Sequence, residues 1–378
     1  MDLLGTPEDK RFREEVRAFL AAHLPADMRQ RIRSTGFVSY QDQRQWQRTL
    51  DAHGWGAPAW PVAHGGTGWN AGQQMIFADE CAMASAPTPH IFNITMLGPV
   101  IIHFGNDAQR EFFLPRLLNG GILSCQGFSE PNSGSDLASL QTSARRVDGG
   151  YVVNGSKIWT SQAHASDWIF CLLRTDSAAA KKQAGISFVV IDLKSPGVTI
   201  RPIIGIDGRH SLNQVFFDDV LVPQSGLIGE ENKGWDYAKF LLGHERTYVA
   251  GIGRTRERIS YARELLASRE RAGLPAKTAA AWRGRIALIE TDVHALEITQ
   301  LRLMHAGIDQ NMASLLKVRG SELYQEIVEL AMQIGGAASL RGDCGELTTA
   351  YLYSRAVTIY GGSTEVQKNI LASTVIGL

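Results

Sequence analysis

The chain has 378 residues, 44% of them hydrophobic and 20% charged, ordinary proportions for a soluble globular protein with a large core and enough length for two to three domain-sized pieces. Lys+Arg and Asp+Glu both number 38, so no net field favours nucleic acid or a membrane surface, and no apolar run is long enough to span a bilayer. Cys81, Cys125, Cys171 and Cys344 lie far apart with no Cys-x-x-Cys pair, which argues against a disulfide framework or a zinc site and predicts reduced thiols with no metal. The first residues lack a basic leader with an apolar core and an Arg-rich transit pattern, so the expected location is cytoplasmic.

Thr6-Pro7-Glu8-Asp9 reads as a helix start, with Thr as N-cap, Pro at the first helical position and acids in the first turn. Phe12, Val16, Phe19 and Leu20 then recur at helical spacing. Further helices are expected over 40–53, 73–84, 91–104 and 107–118, making residues 1–121 a helical domain. Between them, Gly66-Thr67-Gly68-Trp69-Asn70-Ala71 formally matches a dinucleotide fingerprint, but a proline-broken loop precedes it where a strand is required.

From about residue 122 the pattern changes. The stretch from Cys125 to Asp136 is too dense in Gly, Ser, Pro and Asn for regular structure. It reads either as a surface connection or as a backbone that turns sharply and offers N–H and hydroxyl donors to a polar or flat ligand. Residues 151–159 read as a hairpin, with Asn154-Gly155 as a type I′ turn ahead of Trp159-Thr160-Ser161. Strands follow over 167–174, 185–193, 198–202 and 213–222, spaced as in a small antiparallel barrel or sandwich, so 122–230 is a β-domain. Past Gly234 the helical period returns over 235–269, 277–306, 313–334, 347–358 and 364–376, an antiparallel four-helix-type bundle across 231–378. The order helices, strands, helices is an α+β architecture.

Several of these segments resemble the acyl-CoA dehydrogenases, over essentially the whole chain. Gln126 to Asp136 is similar to that family's flavin-binding loop, and Lys157 to Ser161 to its second flavin segment. The Trp60-Pro61…Gly65-Gly66 turn, the strand Phe217-Asp218-Asp219-Val220…Val222-Pro223 and the ending Ile359-Tyr360-Gly361-Gly362-Ser363-Thr364-Glu365-Val366-Gln367 carry the resemblance further. It implies FAD as cofactor, contacted by Gln126, Phe128, Ser129, Gly134, Ser135, Trp159, Thr160, Ser161, Ser363 and Glu365. It also implies an acyl-CoA substrate, contacted by Ser135, Arg246, Tyr360, Gly361 and Gly362. The implied reaction takes the α-proton with a carboxylate, passes the β-hydride to flavin N5 and yields the trans-2-enoyl thioester. Electron-transfer flavoprotein is the expected acceptor, and a tetramer the expected assembly. For Ser363 and Glu365 a plain helix N-cap is an equal reading.

In much of the family the base is a Glu directly after the Tyr of the ending motif. Here that position is Gly361, which cannot take a proton but keeps the backbone N–H that the resemblance assigns to the thioester oxygen. Other members place the base on the first helix of the last domain, and the matching residue is Glu245, just before Arg246. Trp235, Ala238, Leu241, Leu242, Val249 and Ile252 form one apolar stripe onto which Glu245 projects, so the carboxylate is either a paired core residue or a desolvated base. His244-Glu245-Arg246-Thr247-Tyr248 fails as a zinc motif because Tyr248 stands where the second His belongs.

The match breaks where the family reaches a neighbour's FAD. Residues 269–277 lack its Phe-Gly, Trp282-Arg283 stands near its Gln, and Gln333-Ile334-Gly335-Gly336 is one residue short. A heterotetramer with a paralogous subunit, as in members acting on pimeloyl-CoA or steroid side chains, would supply the missing groups; a homotetramer with altered adenosine contacts is the alternative. Other readings are a non-catalytic or half-site subunit and a flavin oxidase or monooxygenase on the same fold.

Overall fold

The computed structural model describes residues 6–35, 37–249, 251–305, 312–340 and 346–378; the side chains of 34–35, 243–249, 304–305 and 346 are also outside the description. In chain order the helices before the sheet are α1 (Pro7–His23), α2 (Ala26–Thr35), α3 (Tyr40–Ala52), α4 (Ala71–Met83), α5 (Gly98–Phe104) and α6 (Asp107–Leu118). The strands are β1 (Ser124–Gly127), β2 (Ser143–Val147), β3 (Gly150–Ser161), β4 (Trp168–Arg174), β5 (Ile186–Asp192), β6 (Val198–Ile204) and β7 (His210–Pro223). Then come α7 (Gly234–Val249), α8 (Ile252–Arg271), α9 (Ala276–His305), α10 (Ala313–Gly335), α11 (Glu346–Ser354) and α12 (Thr364–Leu371). Among the described residues, no helix is long and apolar enough to cross a membrane.

The chain divides into two compact units. One comprises Ser39–Gly68 and Pro89–His244; the other comprises the residues up to Val38, Trp69–Thr88 and Glu245–Leu378. The first unit holds a seven-stranded sheet of order β1-β4-β2-β3-β7-β6, with β5 paired to β4. Most pairings are antiparallel, but β1 runs parallel to β4, and β2 meets β4 in parallel through Ser143 and Arg174. Side chains of a strand alternate between faces, and on β4 both faces are buried. Phe170 and Leu172 join Ile94, Ile101, Phe113, Phe188 and Leu241, while Ile169, Cys171 and Leu173 join Tyr151, Val153, Val189 and Phe217.

Local chemistry explains the turn at Trp60. Its indole Nε1 donates to the Ile94 carbonyl at 2.7 Å. A Cβ on Gly66 would stand 1.7 Å from the Trp60 carbonyl oxygen, and one on Gly98 would stand 2.1 Å from the indole ring. The chain from Ile91 to Leu97 is a π-helix that runs into α5.

The second unit packs α8, α9 and α10 around Ile259, Leu266, Ile289, Val293, Leu323, Ile327 and Leu330. Thr6 caps α1 with the reciprocal bonds of a capping box to Asp9. The buried Glu80 of α4 accepts from Arg13 at 2.5 Å and from Arg17 at 2.8 Å. Arg256 of α8 bonds Asp79 at 3.0 Å and Glu297 of α9 at 2.5 Å.

Three expectations are corrected. Asn154-Gly155 is no turn, because β3 runs unbroken through it. Gly155, at φ +138°, sits at a β-bulge opposite β7, where a Cβ would press within 2.8 Å of Thr142. The Asn154 side chain bonds Asp219 across the strands, donating to its carboxylate and accepting its N–H, both at 2.9 Å. The reversal between β2 and β3 instead uses Gly149 at φ +78°. Second, residues 235–269 are two helices, since α7 ends at Val249 and α8 begins after Gly251 at φ +60°. The expected apolar stripe is therefore split: Trp235, Ala238, Leu241 and Leu242 belong to one unit's core and Ile252 to the other's. Third, the segment from Cys125 is not wholly irregular, because its first residues lie in β1.

Cys81, Cys125 and Cys171 are free and buried, and burial raises each thiol, that of Cys171 to about 12. Cys344 lies outside the described residues.

Candidate active site

The loop after β1 is anchored by a fully buried Asn93 on the π-helix. The Asn93 amide donates to the carbonyls of Leu117 at 3.1 Å and Ile122 at 2.6 Å, and its oxygen accepts from the Ser124 N–H at 2.9 Å and hydroxyl at 2.8 Å. Every side-chain donor and its acceptor is thereby used where an orphaned polar group would be costly. Along β1, Gly127 packs so close to β4 that a Cβ would come within 2.6 Å of Cys171 Sγ.

Phe128 then buries its ring edge-on to Phe170 and Phe188, at centroid distances of 6.0 and 6.3 Å. The loop doubles back where Glu130 and Ser133 exchange backbone hydrogen bonds of 2.9 and 3.0 Å. Beyond that tip the Glu130 carboxylate turns inward. It accepts from the N–H groups of Gln141 at 2.6 Å and Thr142 at 2.9 Å and from Lys157 Nζ at 2.7 Å. Lys157 is fully buried and also donates to the carbonyls of Leu172 at 2.7 Å and Phe128 at 3.3 Å. Burial pulls the Lys157 ammonium below the usual lysine range, against the Glu130 charge. Burial also pushes Glu130 up, but the Lys157 charge and the hydrogen bonds outweigh it and hold the carboxyl below the ordinary range.

One residue after Lys157, the Ile158 N–H donates to the Ser129 carbonyl at 2.9 Å. The buried ion pair and this bond join the two segments that sequence singled out separately. Trp159 follows in the left-handed region, at φ +60°, with its side chain 56% exposed. A bulky residue there is strained, and its indole stands exposed one residue after the Ile158 bond to the loop. Thr160 is buried; its carbonyl accepts from Asn213 Nδ2 at 3.0 Å, and its hydroxyl has no partner among the described residues. Ser161 is partly buried opposite Leu212, Gln126 and Ser129 are partly buried, and Gly134 and Ser135 are exposed.

In the other unit, Gly361 and Gly362 stand at φ +66° and +88°. Two consecutive left-handed residues favour glycine, and at Gly362 a Cβ would lie 2.2 Å from Gln367 Nε2. Both positions are thus held in a backbone that disfavours any side chain. Tyr360 beside it is 39% exposed. Ser363 caps α12, accepting from the Val366 N–H at 3.4 Å, so the N-cap reading holds for it. Glu365 is exposed in the first turn, and hydrogen bonds from its own backbone amide and from Ser363 keep its carboxyl below the usual range. Glu245 and Arg246 lie on α7, but their side chains fall outside the described residues.

A flavin needs an exposed flat ring, free backbone and hydroxyl donors, and a rigid mount. Trp159, the Gly134-Ser135 backbone, the partnerless Thr160 hydroxyl and the Glu130–Lys157 pair meet those needs on one unit, so the residues present fit FAD. Sequence reasoning named the loop and Lys157 but missed Glu130 and Asn93. A Glu amid a Gly/Ser loop and a Lys within an apolar strand were the available signal.

Comparison with known proteins agrees. The chain matches the models for the acyl-CoA dehydrogenase N-terminal domain over residues 6–121, the middle domain over 125–220 and the C-terminal domain over 232–376. Acyl-CoA dehydrogenase IpdE1 of Mycolicibacterium smegmatis is 35% identical, over 98% of each chain. The IpdE1 of Mycobacterium tuberculosis is 36% identical, over 97% of each. Among solved structures, the Tcur3481-Tcur3483 steroid ACAD superposes with a TM-score of 0.88 at 28% identity, covering 100% of this chain and 99% of that one. The ChsE4-ChsE5 complex of Mycobacterium tuberculosis gives 0.85 at 31% identity, covering 99% and 98%.

Proposed function

The chain belongs to the acyl-CoA dehydrogenase family, flavin-dependent oxidoreductases that use FAD, and on that premise we propose how its residues divide the work of desaturating an acyl-CoA to the trans-2-enoyl thioester. When bound, FAD supplies the acceptor for the β-hydride. Gln126, Phe128, Ser129, Gly134, Ser135, Trp159, Thr160, Ser161, Ser363 and Glu365 are its proposed contacts. Ser135, Arg246, Tyr360, Gly361 and Gly362 line the substrate. The Gly361 N–H donates to the thioester oxygen, where charge builds as the α-proton leaves. Glu245 takes that proton. The segments 1–121, 122–230 and 231–378 remain the proposed domains, and electron-transfer flavoprotein the proposed acceptor.

The observation that carries this reading is the joining of the two flavin segments by Glu130, Lys157 and the Ile158-to-Ser129 bond. Without it the loop would be an ordinary surface connection.

A heteromer is the assembly we favour. The Tcur3481-Tcur3483 and ChsE4-ChsE5 structures are each named for two components. This chain lacks the Phe-Gly and Gln that its relatives lend across a subunit boundary. The test is one preparation made twice, as the chain alone and co-expressed with a paralogous subunit, measuring FAD content and the thioester product. The expected result is incomplete FAD alone, and full FAD with enoyl-CoA formation in the pair. A full FAD complement and turnover in the chain alone would contradict the heteromer.

A further inference from the structure

Asn213 of β7 is buried beside the second flavin segment, and its amide is fully engaged there. The pairing of β3 with β7 slips between Lys157 and Thr160, where Trp159 takes its left-handed φ, and Thr160 then stands opposite Asn213. Asn213 Nδ2 donates to the Thr160 carbonyl at 3.0 Å, which fixes the way the amide faces. Its oxygen therefore accepts from His210 Nε2 at 2.8 Å, so His210 carries a proton on that nitrogen. His164 Nδ1 lies 3.2 Å from both Asn213 Oδ1 and Asn213 Nδ2. Unprotonated, this nitrogen accepts the second Nδ2 hydrogen. Protonated, it can only donate to Oδ1, and Nδ2 loses an acceptor. The two imidazoles stack with centroids 3.9 Å apart and planes at 26°. Two imidazoliums that close repel, so the stack resists a second charge.

The surrounding charges do not relieve it. Among the described residues neither ring pairs with a carboxylate: Asp207, ahead of β7, pairs with Arg209 at 3.8 Å, and Asp167 pairs with Arg44. Arg201 of β6 lies over the Phe216 ring. His90, beside Gln162, is pushed down to about 4 by burial. Burial and the His210 charge likewise hold His164 below the ordinary histidine value, against the Asn213 hydrogen bond. Such a histidine supports the fold above its ordinary value, and that support is lost as the pH falls through the depressed one. We propose that Asn213, His164 and His210 form a positioning latch that holds the Trp159-Thr160-Ser161 segment in place for the flavin and loosens when the histidines gain a proton. This rests on the flavin reading of that segment and adds its control by pH.

The test is the dissociation constant for FAD, measured at two pH values on the full chain and on the His164→Gln/His210→Gln variant. A glutamine amide keeps a donor and an acceptor but takes no proton. A histidine of ordinary value near 6.5 that must stay neutral weakens binding about tenfold one pH unit lower. The wild-type constant is therefore expected to rise about tenfold between about pH 7.5 and pH 5.5, and the variant to lose most of that rise. Reading the ratio of the two constants keeps the test valid for a variant that binds more weakly at both. No rise in the wild type, or a rise the variant keeps in full, would overturn the proposal. Trp159 emission, taken as the difference between wild type and Trp159→Phe, needs no flavin. It should change across the histidine range in the wild type and stay level in a chain that also carries the two glutamines; level emission in the wild type overturns the latch. If the protein takes up no FAD, the flavin reading fails, and this emission alone decides the latch.

Discussion

Replacing Glu245 with Gln is expected to slow acyl-CoA-dependent reduction of the bound FAD by about 10³-fold, while FAD content and melting temperature stay near wild type. A positioned general base contributes roughly 10²- to 10⁴-fold, and an amide of the same shape cannot accept the proton. The expectation falls on this residue because the other family position is closed. Gly361 has no side chain, and its φ of +66° would strain one. Glu245 lies in the continuous helix α7, one turn after the buried Leu241. Anaerobic stopped-flow mixing of variant and wild type reads the effect, and a rate within tenfold of wild type would remove Glu245 from the mechanism.

Lys157→Met is expected to be the most damaging change in the flavin half of the site. It leaves Glu130 buried without its counter-charge, a loss of about 3–5 kcal/mol when one partner of a buried pair is removed. FAD should be lost with the stability, because Glu130 also holds the Gln141 and Thr142 amides that close the loop. The pH dependence has a definite sign. In the wild type Glu130 is held below its ordinary range, so its contribution is present above that range and fades as the pH falls through the depressed value. In the variant the lowering by the Lys157 charge is gone and only the Gln141 and Thr142 hydrogen bonds oppose the upward push of burial, so protonation relieves the unpaired charge in acid. The gap between the two proteins should therefore narrow as the pH is lowered, as followed by melting temperature across the acid range. A gap that widens in acid, or a variant as stable as wild type at neutral pH, contradicts the ionised pair.

The parts of the fold legible in sequence were those written in local chemistry. Thr6-Pro7-Glu8-Asp9 capped a helix because capping is decided within a few residues, and α6 began at Asp107 behind its Asn106 cap. Asn154-Gly155 misled for the opposite reason. The same positive φ that serves a tight turn also serves a bulge, and only the position of β7 and Thr142 distinguishes them. Helix α2 carries few apolar residues, with Met28 as its fully buried side chain among the described residues, so it gave little pattern to find. At the site, the Gly/Ser loop and the Trp159-Thr160-Ser161 segment stood out by composition. The Glu130–Lys157 pair did not, because its members are 27 residues apart and meet only through the register of the sheet.

The proposed reaction has FAD on the loop after β1 accept a hydride from an acyl-CoA whose α-proton this chain removes. Anaerobic titration of the FAD-loaded protein with acyl-CoA thioesters tests this most directly. The expected result is stoichiometric loss of the oxidised-flavin absorbance with formation of the trans-2-enoyl thioester. Flavin that keeps its oxidised spectrum through saturating thioester, with the thioester recovered unchanged, would contradict it.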